Sequence, residues 1–168
     1  MEQIYDEKNP YKVLKSCGFL VFARNKEGEL NFLVMKKKGR DNFDLPKGHQ
    51  EESETDMDTA KRELREETGI EEGEIRIMET NLFEFKQTYF PKYKRFQNRV
   101  VEKTVKVFLC FLKEEKEIML TEHPSSCFIQ FPTKKRFNNS TIDNLLEKVE
   151  LFVSQNPEIW EKFVCKEK

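Results

Sequence analysis

The sequence predicts an α/β fold in one domain, and three observations predict it. Apolar runs of strand length recur between polar turns. A short amphipathic helix interrupts them near the middle, and a longer helical pattern closes the chain. At 168 residues and 37% hydrophobic content the chain can bury one core, and nothing in its length calls for a second domain. The domain is expected to take in residues 1–168, with its core between about 14 and 155.

Taken in order, Ser16 to Ala23 is an apolar run rich in Phe and Val, Asn25-Lys26-Glu27-Gly28-Glu29 is a polar turn, and Leu30 to Met35 is apolar again. That pattern is a hairpin. Met57, Ala60 and Leu64 then lie at i, i+3 and i+7, the stripe of an amphipathic helix, and Thr68-Gly69-Ile70 supplies its glycine stop. Ile75, Ile77, Leu82, Phe83 and Phe85 mark a strand leaving the helix between Glu74 and Phe85. Val105, Val107, Leu109 and Phe111 alternate with Lys106, Phe108 and Cys110 in another, from Lys103 to Leu112. Cys127 to Phe131 reads as a short edge strand stopped by Pro132. Ile142, Leu145, Leu146, Val149, Phe152 and Val153 repeat at helical spacing after Ser140, with Asp143 at the positive end; Asn156-Pro157 breaks this helix and opens a final turn with Ile159, Trp160 and Phe163.

The chemistry concentrates between Gly48 and Ile70, in Gly-x5-Glu-x7-Arg-Glu-Leu-x-Glu-Glu-x-Gly-Ile. Glu63, Glu66 and Glu67 share one helical face. Like charges at that spacing cost a helix roughly 0.2–0.5 kcal/mol per pair unless a cation sits among them. A solvated acidic face is the plain alternative. The defined buried stripe and the Pro46-Lys47-Gly48 turn just upstream argue for a site instead: glycine permits close backbone approach, and lysine offers a point charge for phosphate. Carboxylate and carbonyl oxygens suit magnesium, or manganese, rather than zinc.

This segment, residues 48–70, resembles the Nudix box: Gly48, Glu54, Arg62, Glu63, Leu64, Glu66, Glu67, Gly69 and Ile70 all stand at that family's spacing. The resemblance implies an α/β/α sandwich with a mixed sheet, a box loop-helix-loop and C-terminal helices, and a pyrophosphohydrolase that cleaves phosphoanhydrides of nucleoside diphosphates linked to another moiety. Within that superfamily the chain is similar to the asymmetrical diadenosine tetraphosphate hydrolases in three places. Phe43-Asp44-Leu45-Pro46-Lys47-Gly48-His49 matches their Trp-Thr-Pro-Pro-Lys-Gly-His, Glu102-Lys103-Thr104-Val105-Lys106 their Lys-Pro-Lys-Ser/Thr-Val, and Thr121-Glu122-His123 their Ser-His-Glu-His turn.

The likeness implies roles residue by residue. Glu63, Glu66 and Glu67, with the Gly48 carbonyl and Glu122, would hold magnesium. Glu67 or Glu63 would take the proton of the attacking water, while Lys47 and Lys103 would steady the polyphosphate. His49 would meet a phosphate oxygen or order its loop, and His123 has no role favoured over another. Arg62, Glu54 and Gly69 would be structural within the box, Arg62 by bidentate bonding to a carboxylate and Glu54 at the helix start. The products from diadenosine tetraphosphate would be ATP and AMP. An adenine would stack on Tyr89 in the first instance and Phe128 in the second. The cysteines and Trp160 read as packing.

The chain also departs from that pattern. Phe43 replaces the tryptophan, Glu52-Ser53 the usual Pro-Gly, and Asn42 the histidine of some members. The stretch from Lys86 to Val101 is longer than those enzymes need and interleaves basic residues with Tyr89, Phe90, Tyr93 and Phe96. It reads equally as a clamp for phosphate and base or as a basic loop packed on the sheet edge. A clamp would also admit capped or 5′-triphosphorylated RNA, an inositol pyrophosphate or a nucleoside diphosphate sugar. A non-enzymatic binding module of the same fold is the remaining alternative, though such domains usually lose box carboxylates and this chain keeps them.

A formal charge of −1 excludes a global pull toward nucleic acid or membranes, so anion binding must come from local clusters of the 30 basic residues. Cys17, Cys110, Cys127 and Cys165 form no Cys-x-x-Cys pair, and the first residues lack a secretory pattern. A reduced protein of the cytoplasm, or of the nucleus, is expected. Its partner would be a small nucleoside polyphosphate or an RNA 5′ end. The sequence leaves its oligomeric state open.

Overall fold

The computed structural model describes residues 11–36, 42–89, 100–121, 123 and 125–166. Seven strands form one mixed sheet: β1 (Tyr11–Arg24), β2 (Leu30–Lys36), β3 (Phe43–Asp44), β4 (Lys47–His49), β5 (Ile75–Tyr89), β6 (Val100–Leu112) and β7 (Ser125–Gln130). Among the described residues three helices accompany them, α1 (Asp56–Thr68), α2 (Ser140–Gln155) and α3 (Pro157–Phe163), with a 3-10 turn at Glu72–Glu74. The expected hairpin is present: β1 and β2 pair antiparallel from Phe22↔Phe32 to Arg24↔Leu30.

The pairing registers explain how the sheet makes room for a site. One edge of β1 is occupied by β6 in parallel, from Tyr11↔Val100 to Phe22↔Phe111. Its other edge pairs with β2 only at Phe22–Arg24 and with β4 at Ser16–Gly18. On β2, β7 takes Asn31–Lys36, whereas β3 pairs with Met35 and Lys36. Thus β1 and β2 part after three pairs, and the β3–β4 segment fills the gap. The Phe19 amide donates to the Pro46 carbonyl there (3.1 Å).

Both faces of the sheet are covered, which is why β1 reads as a continuous apolar run instead of alternating with polar residues. Cys17, Phe19, Val21, Leu33, Phe108 and Cys110 pack with Ala60 and Leu64 of α1. Leu20, Phe22, Phe32, Val107, Leu109 and Phe111 pack on the other face with Ile142, Leu145 and Val149 of α2. This is the α/β/α sandwich. The core runs past residue 155, because Trp160, Phe163 and Val164 are buried in the second cluster and the Trp160 ring meets Phe22 edge-on at 5.0 Å. The expected final turn is therefore a helix with Pro157 in its first turn, where a missing N–H costs nothing. No described helix is long and apolar enough to cross a membrane.

Cys17 and Cys110 are buried, as packing requires, but Cys127 and Cys165 are exposed. For these two the packing reading fails: Cys127 lies exposed on β7 and Cys165 exposed beyond α3.

Candidate functional site

The helix that carries the carboxylates is fixed at each terminus by its own sequence. Thr55 caps α1 reciprocally with Asp58: the Asp58 amide donates to the Thr55 hydroxyl (3.1 Å) and the Thr55 amide to the Asp58 carboxylate (3.0 Å). At the far end Gly69 adopts φ 78°, the left-handed conformation that favours glycine, and its amide returns to the Arg65 carbonyl.

Asp56, at the first position of α1, ties that terminus to the sheet. Its carboxylate accepts from Lys106 on β6 (2.8 Å), Lys15 on β1 (3.1 Å) and Gln50 (3.1 Å). Burial pushes this carboxyl up, but the two lysines more than offset it and the net shift is downward. Cys17, beneath the cluster, is pushed up to about 11 by burial and by Asp56.

Along the helix, one guanidinium organises most of the acidic face. Arg62 binds Glu54 in bidentate fashion, Nε to Oε2 at 2.7 Å and a terminal nitrogen to Oε1 at 3.0 Å. It also donates to Glu63 (2.9 Å), Glu66 (3.1 Å) and the His49 carbonyl (2.9 Å). Glu54, which lies just before the cap rather than in the helix, accepts further from the Glu51 amide and the Thr59 hydroxyl. Its pKa falls to about 2, chiefly through the bonds from Arg62, and the same bonds raise that of Arg62.

Glu67 lives in different surroundings. It is 7% exposed, and its Oε2 accepts from the Lys47 amide (3.1 Å). Burial raises its pKa to about 7; His123 acts in the opposite direction, and Glu63 and Asp44 add to the rise. Asp44 completes this corner, with Oδ1 3.3 Å from Lys47 Nζ and Oδ2 3.7 Å from His123 Nε2. Its role is absent from the sequence reading. The only local signal was its spacing of three residues from Lys47 across a proline turn.

Gly48 sits directly against Glu63: a Cβ built on it would collide with the Glu63 carboxylate. The box glycine is there because a backbone and a carboxylate must share one space. Gly48, Glu63 and Glu67 therefore converge on the Lys47–Gly48 turn, and Glu66 stands more exposed on the same helix.

The remaining expected residues are placed as follows. His49 is exposed at the end of β4, opposite Ser16. Lys103 lies on β6 opposite Leu14 and shares a sheet face with Val105 and Val107, the face toward α2. Tyr89 ends β5 opposite Val101. Phe128 lies on β7 opposite Leu33 and lines a groove with Ala23, Asn25 and Leu112. Glu122 and positions 90–99 of the basic-aromatic stretch lie outside the described residues.

The donor set suits a hard divalent cation, since it consists of carboxylate and carbonyl oxygens around a glycine cradle that a side chain would fill. Among the described residues no three His, Cys, Asp or Glu side chains are gathered closely enough to enclose one. Arg62 binds both Glu63 and Glu66.

Comparison with known proteins places this geometry. A family model described as NUDIX domain matches residues 15–133. A mouse (Mus musculus) protein named bis(5′-nucleosyl)-tetraphosphatase [asymmetrical] is 38% identical over 72 residues, 39% of this chain and 49% of the relative. The rat (Rattus norvegicus) protein of the same name is 30% identical over 110 residues, 62% of this chain and 67% of the relative. The match thus spans about half the length of the mouse relative. Among solved structures, a C. elegans Ap4A hydrolase binary complex superposes with a TM-score of 0.70 at 21% identity, covering 84% of this chain and 98% of that one. E. coli dihydroneopterin triphosphate pyrophosphohydrolase gives 0.56 at 23% identity, covering 80% and 95%. At those identities the likeness is one of fold.

Proposed function

Because the chain belongs to the NUDIX family, on a match from residue 15 to residue 133, we propose that it hydrolyses a phosphoanhydride of a nucleoside polyphosphate with a divalent cation, cleaving diadenosine tetraphosphate to ATP and AMP. The observation that carries this reading is the convergence of Glu63 and Glu67 on the Lys47–Gly48 turn. The names borne by the mouse and rat relatives support the substrate.

In this mechanism the Gly48 carbonyl, Glu63 and Glu67 would hold magnesium, helped by Glu66 and Glu122. The chemistry supplied there when the ion is bound is neutralisation of phosphate charge and acidification of water. Lys47 reaches the phosphate chain from the β3–β4 turn. Asp44 aims its ammonium while the site is empty of substrate, so the polyphosphate takes over a cation already positioned. Lys103 steadies the far part of the chain, and Tyr89 stacks on a base. Arg62 keeps Glu63 and Glu66 from turning away into solvent. The proton of the attacking water goes to Glu67 or Glu63.

The test is a substrate panel in saturating magnesium: diadenosine tetraphosphate, capped and 5′-triphosphorylated RNA, an inositol pyrophosphate and a nucleoside diphosphate sugar. The highest kcat/KM is expected for diadenosine tetraphosphate, with ATP and AMP in equal amounts. A preference for RNA or inositol pyrophosphate rejects the substrate, and binding without turnover of any member rejects the enzyme.

A further inference from the structure

An α-helix leaves its last carbonyls without intrahelical donors, and α1 ends beside the carboxylates that matter. The Gly69 amide serves the Arg65 carbonyl (2.9 Å), as the local glycine stop provides. The next donors come from about fifty residues away. The Thr121 hydroxyl donates to the Glu66 carbonyl (3.0 Å), the Met119 amide to the Thr68 carbonyl (2.8 Å), and Lys116 Nζ to the Gly69 carbonyl (2.6 Å). Three different kinds of donor, a hydroxyl, an amide and an ammonium, thus descend in order along one helix end.

The segment that delivers them has no regular secondary structure of its own between β6 and β7. It is anchored elsewhere: Lys116 also binds Glu74 (2.6 Å), Ile118 packs against the buried cluster under α1, and Met119 lies over Gly69 closely enough that a Cβ there would stand 3.2 Å from its own. The ammonium of Lys116 further suits the negative end of the helix dipole.

We propose that residues 116–121 are a strap that fixes the last turn of α1, and that Thr121 is a positioning residue for Glu66 and Glu67. Thr121 lies two residues before His123, whose ring stands beside Asp44 at 3.7 Å. One hydroxyl therefore joins two parts of the site, the helix turn that carries Glu66 and Glu67 and the His123 position beside Asp44. If it is lost, both can shift, and a misplacement of about 1 Å can cost up to about a hundredfold in rate. This inference rests on the proposed hydrolysis for its kinetic consequence, though not for its structural one.

The experiment compares Thr121→Val, which keeps the shape and removes the hydroxyl, with Thr121→Ser, which keeps the hydroxyl, on the full chain. Hydrogen exchange is followed over residues 63–70, and kcat, KM and the magnesium concentration for half-activity are measured for the wild type and both variants. In Thr121→Val, exchange over 63–70 is expected to quicken several-fold, kcat to fall about tenfold and the magnesium requirement to rise, with KM for the nucleotide unchanged. Thr121→Ser restores all three. Lys116→Met, at the opposite end of the strap, serves as the second variant if Thr121→Val fails to fold, and is expected to quicken the same exchange. Unchanged exchange over 63–70, or a loss that Thr121→Ser does not restore, overturns the strap. A wild type that turns over no nucleotide overturns the proposed function instead, and the exchange comparison still decides the strap.

Discussion

Two neighbouring groups of carboxylates on and before α1 face opposite physical problems. Glu54, Glu63 and Glu66 are gathered by Arg62, which neutralises them and holds Glu54 far below the usual carboxylate range. Glu67, one residue from Glu66, is buried, accepts from the Lys47 amide, and is pushed up to about 7 by that burial. The first group is a prearranged scaffold whose counter-charge is built in. The second is a carboxyl whose pKa burial raises, a rise that His123 only partly offsets. Acidic residues at helical spacing thus divide by what lies behind them, an ion pair for one group and burial for the other.

The sharpest way to break this comparison is to remove the charge of one carboxylate at a time. Glu67→Gln is expected to lower kcat by roughly 10²–10³-fold, the scale for removing one electrostatic contributor in an active site. The fold should persist, since the amide can still accept from Lys47 and no longer carries a buried charge. Glu63→Gln should be similarly inactive. Calorimetric titration with magnesium separates their roles: the variant that keeps cation affinity while losing turnover has lost the proton acceptor. Retained turnover in both would remove the site from α1.

Arg62→Ala should act on the other group, and mainly on stability. Breaking a largely buried ion pair by removing one partner costs about 3–5 kcal/mol, because the other charges stay behind uncompensated. Urea unfolding should register that loss without magnesium, and added magnesium should recover part of it as the cation replaces the guanidinium. A variant as stable as the wild type without magnesium would show that Arg62 is not what holds Glu54, Glu63 and Glu66.

The smallest effect is one of pH. The folded pKa of Glu54 is about 2, below its ordinary value of about 4.3. A depressed carboxyl contributes stability that is fully present above the unfolded value and is lost as pH falls through the folded one. The stability difference between wild type and Glu54→Gln should therefore be constant from pH 6 to 8, and shrink as pH drops from about 4.3 toward 2. A difference that stays constant across that acid range contradicts the pairing with Arg62.

Much of the fold was legible because its elements announce themselves over short distances. The hairpin turn, the α1 stripe with its glycine stop and the α2 spacing depend on near neighbours, and each appears where the pattern puts it. The miss at α3 has a local cause: seven residues that begin with a proline are too few to display a helical period, and burial of Trp160 and Phe163 stabilises the helix from outside. The exposed Cys127 and Cys165 were misread because residue type alone says little about which face of an edge strand or tail a side chain takes.

At the site, Glu63, Glu66, Glu67 and Gly48 were legible because nine positions of one motif lie within 23 residues of continuous chain. Asp44, Asp56, Lys15, Lys106 and Thr121 were not. Their partners lie on other strands or about fifty residues away, and no spacing rule links a lysine on β6 to the first residue of α1 or a hydroxyl to a helix carbonyl. By itself, then, the sequence determined the family and the acidic helix face, since motif spacing and helical periodicity operate within a few turns. Only the tertiary structure decided which carboxylates Arg62 would satisfy and which one burial would leave waiting, because desolvation and ion pairing depend on what the rest of the chain packs against them.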